Sequence, residues 1–253
     1  MINLLLFAIS LVFFIPKKVY KTKITDYFKI FKKNLPYFLI IFGVVCFHLI
    51  EVNIIDPYVT EHIRYDYANV IKNIEGDTVF WFSQNWTPSL VYFFVIMYIA
   101  VYPFILWFSI TYFLIVDEEK SMKNFAYGSL LIYFIALPFY LFVPITNIYT
   151  FYNAESALET VIPSVEQFFY STTTQNNCLP SLHTAMTILV TWSIYITGNK
   201  KLLYFAFFTM ISVIIAIIYL SIHWITDVIS GAVIAVSVIF ILHRYIGENK
   251  ENG

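Results

Sequence analysis

The 253-residue chain is 60% hydrophobic and 20% aromatic, and only 12% of its residues are charged. A soluble domain carries about twice that charged share, and a net charge of −1 provides no overall attraction to nucleic acid. The composition therefore excludes a soluble globular domain and predicts an integral membrane protein whose main partner is the lipid bilayer.

The N-terminal part combines a short apolar run with a basic segment. Residues 3–16 predict either a short first span or an N-terminal anchor, and we expect no signal peptide because no basic region precedes the run. Seven lysines follow between Lys17 and Lys33. Apolar residues recur at helical spacing among them, which is typical of an amphipathic helix on the membrane surface. A basic loop would explain the lysines equally well.

Six apolar segments follow that are long enough, or nearly so, to cross a bilayer. They cover residues 35–52, 88–116, 125–147, 182–197, 202–222 and 224–245. Pro103 predicts a kink in the second segment, and the short, threonine-rich fourth segment is predicted to lie inside the bundle. The fold class is therefore an all-α polytopic membrane helical bundle. It has a six-span core (35–247), an N-terminal hydrophobic and basic part (1–34) and a short tail (248–253).

The connection at 53–87 is more polar than the spans around it. Val59, Ile63, Tyr67, Val70 and Ile74 follow a spacing of three to four residues, which predicts an amphipathic helix. His48 and Glu51, just before this connection, are predicted to lie at the membrane interface.

The distribution of basic residues predicts the orientation in a cell membrane. If residues 17–33 are cytoplasmic, alternation of the spans also puts 117–124, 198–201 and the C-terminus there. Those segments hold thirteen of the fifteen Lys and Arg residues, and only Arg64 and Lys72 fall outside them. Because cytoplasmic loops of membrane proteins are enriched in Lys and Arg, this asymmetry supports the assignment.

Two stretches contain polar residues that membrane segments rarely carry. His223 and Asp227 stand four positions apart in YLSIHWITDVISG (219–231), so a helix would place them on one face. Upstream, His183 follows Pro-Ser-Leu in NNCLPSLHTA (176–185), where Ser181 is a natural helix N-cap. Ionisable residues at membrane depth are functional candidates, although a polar pair that only packs two helices would look the same. The predicted orientation places both stretches on the extracytoplasmic side.

These residues suit phosphoryl transfer through a covalent intermediate. His223 would attack phosphorus while Asp227 holds its other ring nitrogen, and His183 would act as acid and base. The amide groups near Ser181, Leu182, Asn176 and Asn177 would bind the phosphate, because exposed N–H groups at a helix N-terminus favour anions. Neither stretch has a usual zinc spacing, and Cys46 and Cys178 form no metal motif. We therefore expect no cofactor and no obligatory metal.

The combination of PSLH at 180–183 with H-x-x-x-D at 223–227 resembles the type 2 phosphatidic acid phosphatase and vanadium haloperoxidase superfamily. Within this superfamily, the motifs YLSIHWITDVISG (219–231) and PSLHT (180–184) are most similar to the inositol phosphorylceramide synthase branch. The resemblance implies a membrane lipid phosphate substrate, with His183 as the acid and with His223 and Asp227 as the nucleophile pair.

The chain departs from the family pattern where the family carries cations. Residues 136–180 contain no basic residue in place of a first motif with Lys and Arg-Pro, and position 217 is Ile where an Arg often stands. Arg64 or Lys72 would then fold over the site, and Tyr149 lies where the first motif would be. These three residues are candidate substrate contacts.

Three functions remain open from the sequence. The first is a lipid phosphatase or phosphotransferase that cleaves a phosphate ester at the extracytoplasmic face. The second is a head-group transferase like inositol phosphorylceramide synthase, and the third is a non-catalytic lipid-binding protein on the same scaffold. The sequence does not identify the lipid, or decide between water and an alcohol as acceptor.

Overall fold

The computed structural model describes residues 2–63, 65–158 and 173–247, and within them the chain is helical and contains no β-strand. In chain order the α-helices are α1 (Ile2–Phe14), α2 (Ile24–Ile50), α3 (Asp56–Ile63), α4 (Ala68–Glu75), α5 (Thr78–Gln84), α6 (Pro88–Val95), α7 (Tyr102–Val116), α8 (Glu119–Phe142), α9 (Ile148–Phe151), α10 (Leu182–Ile196), α11 (Lys200–Tyr219) and α12 (Ile225–Gly247). The all-α prediction is confirmed for these residues.

Five helical segments are long and apolar enough to cross a membrane. They are Ile24–Ile63, Pro88–Val116, Glu119–Phe142, Lys200–Tyr219 and Ile225–Ile246. Helix α10 has 15 residues, which at ~1.5 Å per residue is shorter than a bilayer core of ~30 Å. The multi-pass character is thus clear in the described part of the chain, while the count of six spans stays a prediction.

Helix α10 lies inside the bundle, as its threonine content predicted. It packs against α7, α8, α11 and α12, and residues along its whole length, such as Ala185, Leu189 and Ile194, are almost fully buried. Gly128 of α8 allows the close approach of Leu189, because a Cβ at that position would come within 2.4 Å of the Leu189 side chain. Because α10 packs against other helices and not mainly against lipid, its surface does not need to be apolar all round and can carry threonines.

Two long helical segments contain a π-helical turn. Residues Glu51–Ile55 join α2 to α3, and residues Ile96–Val101 join α6 to α7. The second turn directly precedes Pro103, where the sequence predicts a kink. A π-turn widens the helix by one residue and re-aims the side chains that follow it, so both turns alter the path of helices that line the site described below.

The connection at 53–87 differs from the prediction of one amphipathic helix. It forms three short helices, α3 to α5, and the chain leaves the helical path after Ile63. These helices are attached to the end of the bundle where both histidine stretches lie. The carboxylate of Glu75 accepts hydrogen bonds from the backbone N–H groups of Ile225 and Thr226 at the start of α12.

Candidate active site

A sharp turn after α11 positions the first histidine. Ser221 adopts a left-handed backbone conformation with φ of 59°. The N–H groups of Ile222 and His223 both donate to the carbonyl of Ile217, at 2.9 and 3.0 Å. His223 is therefore fixed by its backbone immediately before α12 begins.

The carboxylate of Asp227 holds the His223 ring. Asp227 is fully buried in the first turn of α12, and its Oδ2 lies 3.2 Å from Nδ1 of His223. The same oxygen accepts the N–H of Trp224 at 2.8 Å. With the proton of neutral imidazole on Nδ1, the lone pair remains on Nε2, which is the nitrogen available as a nucleophile.

The N-terminus of α10 brings the second histidine to the same place. Ser181 caps this helix through its side chain, which accepts from the N–H of Thr184 at 3.3 Å. Its own N–H donates to the carbonyl of Asp227 at 2.9 Å. This backbone hydrogen bond links the two histidine stretches directly, and His183 follows in the first turn of α10.

The two imidazoles lie close to each other and open into one cavity. Their ring centroids are 5.7 Å apart with an interplanar angle of 61°, and both rings line a cavity of about 470 Å³. This volume is within the range of small-molecule sites, about 300–1,000 Å³. The structure thus brings together the three residues predicted to be catalytic.

Tyr98 contacts His183 and was not anticipated from the sequence. Its hydroxyl lies 3.0 Å from Nε2 of His183, while Nδ1 of His183 is buried with no hydrogen-bond partner among the described residues. Tyr102, one turn later, also packs its ring on His183 at 5.2 Å. The spacing of the two tyrosines was the available signal, but aromatic residues are so frequent in these spans that it did not stand out.

The cavity has a polar end and an apolar arm. The polar end contains both histidines together with His48, Tyr133, Asn147 and Asn177. The arm extends along α2, α7 and α8, where its walls are formed by residues such as Ile41, Val45, Leu106, Ile110 and Phe125. No Lys or Arg is found among the described residues that line it.

Only some of the residues predicted to bind phosphate border the cavity. Leu182 lines the cavity, whereas Ser181 is buried behind it. The side-chain amide of Asn176 donates to Oγ1 of Thr60, and that of Asn177 donates to Glu51. Only Leu182 and Asn177 of this group therefore border the space in front of the histidines.

The predicted substrate contacts are not brought to the site by the described structure. Lys72 lies 3.8 Å from the carboxylate of Asp77 on the outer side of α4. Neither Lys72 nor the buried Tyr149 is among the described residues lining the cavity. Arg64 lies outside the described residues.

One group of side chains has donor atoms close enough for a metal ion. The ligand atoms of Cys178, His223 and Asp227 lie within 4.8 Å of one another. Burial raises the pKa of the Cys178 thiol well above its ordinary value, and the thiolate is the form that binds metals. While Nδ1 of His223 donates to Asp227 it has no lone pair for a metal, so only Nε2 of this ring could bind one. The hydrogen-bonded pair is thus a poor fit for a metal site.

Comparison with known families agrees with this geometry. A family model described as the PAP2 superfamily matches residues 74–241, which is more than half of the chain and includes both histidine stretches. The chain belongs to the PAP2 superfamily. Members of the PAP2 superfamily are phosphoesterases, which fits a membrane phosphatase or phosphotransferase. No curated protein and no solved structure matches the chain.

Proposed function

We propose that this PAP2 protein cleaves a phosphate ester of a membrane lipid through a phosphohistidine on His223. The proposal rests on one observation above all. Two imidazoles face one cavity, and a buried carboxylate holds Nδ1 of one of them. The apolar arm of the cavity supports a lipid substrate, because it offers acyl chains a surface continuous with the phosphate site.

In the first step, Nε2 of His223 attacks phosphorus and the bond from phosphorus to the lipid oxygen breaks. Protonated His183 gives its proton to that oxygen, so the lipid alcohol leaves neutral. Asp227 stabilises the positive charge that develops on the His223 ring. In the second step, an acceptor hydroxyl attacks phosphorus, the P–N bond breaks, and the acceptor proton passes to His183.

The described residues that line the cavity include no Lys or Arg, so other groups must balance the negative charge of the phosphate. Protonated His183 provides one positive charge. The first-turn N–H groups of α10, at Leu182 and His183, add the partial positive charge of a helix N-terminus. This arrangement replaces the cations of the family's first motif, which the sequence lacks.

The acceptor is water or an alcohol, and both would use the same intermediate. The similarity of YLSIHWITDVISG to the inositol phosphorylceramide synthase branch supports transfer to an alcohol. The third possibility, a lipid-binding protein without activity, is disfavoured by the Asp227–His223 pair, since lipid binding does not require an oriented imidazole. We place the site on the extracytoplasmic side, on the strength of the distribution of basic residues.

The test is an assay of purified protein with radiolabelled phosphatidate and a panel of other lipid phosphates. Released phosphate and newly formed phosphate esters are both measured. We expect His223→Ala to lower both by at least about 1,000-fold, because a covalent route needs its nucleophile. Normal turnover by this variant would show that the nucleophile is assigned wrongly.

His243→Ala is the matched control. His243 is an exposed histidine at the opposite end of α12, and its ring contacts Trp192 at a centroid distance of 6.3 Å. We expect this variant to retain the activity of the wild type. If no lipid phosphate is cleaved by the wild type, the enzymatic proposal fails and the lipid-binding alternative gains support.

A further inference from the structure

A second histidine–carboxylate pair borders the same cavity. Glu51 is fully buried at the start of the π-turn that ends α2. Its Oε2 lies 3.5 Å from Nδ1 of His48 and accepts the hydroxyl of Tyr133 at 3.2 Å. Its Oε1 accepts the side-chain amide of Asn177 at 2.9 Å. We call these four residues the Glu51 cluster; His48 and Glu51 precede the region matched by the PAP2 family model, whereas Tyr133 and Asn177 lie within it.

The Glu51 cluster resembles the His223–Asp227 pair in part. In each case the histidine lines the cavity and the carboxylate lies behind it, but Nδ1 of His48 is 3.5 Å from Glu51 and makes no hydrogen bond, whereas Nδ1 of His223 is hydrogen-bonded to Asp227. Nδ1 of His48 is buried and has no hydrogen-bond partner among the described residues. The ring lines the cavity and can therefore bond to a ligand there.

A purely structural role does not account for the charge of Glu51. Burying a carboxylate costs several kcal/mol unless a cation is close. Neither Lys nor Arg is found among the described residues that contact Glu51, and His48 is a cation only when it is protonated. Two neutral donors, Tyr133 and Asn177, would be equally satisfied by a neutral amide acceptor. The carboxylate therefore points to a function that uses its charge.

The free polar atoms of the cluster indicate what it binds. Oδ1 of Asn177 is buried and has no hydrogen-bond partner within the described structure, so it requires a donor. The unprotonated ring nitrogen of a neutral His48 requires a donor as well. The negative charge of Glu51 disfavours a second anion. Hydroxyl groups meet these requirements, because they are neutral and donate as well as accept.

We propose that the Glu51 cluster is the binding site for the hydroxyl-bearing acceptor that attacks the phosphohistidine. The inference rests on the proposed function. In the step concerned, an acceptor hydroxyl held by His48 and Asn177 forms a bond to phosphorus. The P–N bond to His223 breaks, its electron pair returns to Nε2, and the acceptor proton goes to His183.

The experiment separates the two halves of the reaction. Purified wild type and His48→Gln are mixed with phosphatidate labelled in its phosphate, quenched in alkali, and assayed for label on the protein. We expect turnover by His48→Gln to fall about tenfold, and the labelled fraction of the protein to rise, because the intermediate forms but its acceptor is poorly held. A variant damaged only in its fold would lose turnover and labelling together.

Glycerol in the assay distinguishes water from an alcohol as the occupant. If the cluster holds alcohols, the ratio of glycerol phosphate to free phosphate will fall several-fold in His48→Gln. If it holds water, turnover will fall while that ratio stays constant or rises. Glu51→Gln keeps the size of the side chain and removes its charge. We expect it to change turnover, labelling and the product ratio in the same direction as His48→Gln, and it replaces that variant in the experiment if His48→Gln does not fold.

His62→Gln is the matched control, since His62 is an exposed histidine on α3 that does not line the cavity. Turnover and labelling of His48→Gln equal to those of this control would overturn the acceptor site. A wild type that cleaves no lipid phosphate would instead overturn the proposed function. The acceptor role of the Glu51 cluster would fail with it, and the cluster would remain a hydroxyl-binding site only if myo-inositol raised the melting temperature of the wild type more than that of His48→Gln.

Discussion

At the scale of single residues, the hydroxyl of Tyr98 determines how His183 is held. Among the described residues, the His183 ring has no carboxylate partner comparable to Asp227, and its one hydrogen-bond contact is with the Tyr98 hydroxyl at 3.0 Å. A tyrosine hydroxyl fixes the ring without adding negative charge. The acid and the nucleophile are thus distinguished by their partners, since a carboxylate stabilises the positive charge that develops on an attacking imidazole more strongly than a phenol does.

We expect Tyr98→Phe to lower kcat about tenfold and to leave the melting temperature within a few degrees. The substitution keeps the ring that packs on His183 and removes only the hydrogen bond, so the acid loses its orientation while the core stays filled. Steady-state kinetics with labelled phosphatidate provide the measurement. Tyr102→Phe is the control, because its ring touches His183 in a similar way; equal losses in both variants would argue against a special role for the Tyr98 hydroxyl.

At the scale of secondary structure, the site depends on how closely α10 approaches α12. Gly231 lies one turn after Asp227, and a Cβ at this position would come within 2.4 Å of the carbonyl oxygen of Ser181. That oxygen belongs to the backbone of the α10 N-cap, which cannot rotate away. The absence of a side chain at 231 therefore permits the contact that places His183 beside His223.

We expect Gly231→Ala to separate the two helices, to destabilise the protein by about 1–3 kcal/mol through overpacking, and to reduce turnover at least tenfold. Melting temperature in detergent and phosphatase rate are the two readouts. Gly43→Ala is the control, because nothing lies within 4 Å of a Cβ there and alanine is the better helix former. Full activity in Gly231→Ala would mean that the close approach is not required.

Some residues of the site lie in local sequence patterns, whereas others are joined to it only by contacts between distant helices. His183, His223 and Asp227 were predictable because each lies in a local pattern, a capped helix start or a spacing of four. Glu51 and Asn177 are 126 positions apart, and Tyr98 and His183 are 85 apart, so only the packing of distant helices joins them. The interfacial position of His48 and Glu51 stays a prediction, but the sequence did not indicate that the Glu51 carboxylate is fully buried in the protein and bonded to the Asn177 amide.

At the scale of the whole molecule, the site occupies one end of the bundle and most of the basic residues occupy the other. The short helices α3 to α5 are attached to the site end, through contacts such as that of Glu75 with the start of α12. Lys200 and Lys201, at the start of α11, lie one full helix away from His183. A single orientation in the membrane therefore determines which compartment supplies substrate and acceptor.

We expect the site end to be extracytoplasmic, and single cysteines can test this. Asn85→Cys marks the site end and Lys200→Cys marks the basic end, and both positions are exposed. In whole cells a membrane-impermeant maleimide should label Asn85→Cys only, and permeabilised cells should show labelling of both. The native Cys178 is buried and Cys46 lies within α2, so the unmodified protein provides the background. If only Lys200→Cys were labelled in whole cells, the orientation would be the reverse of the one we expect, and the acceptor would be a cytoplasmic compound.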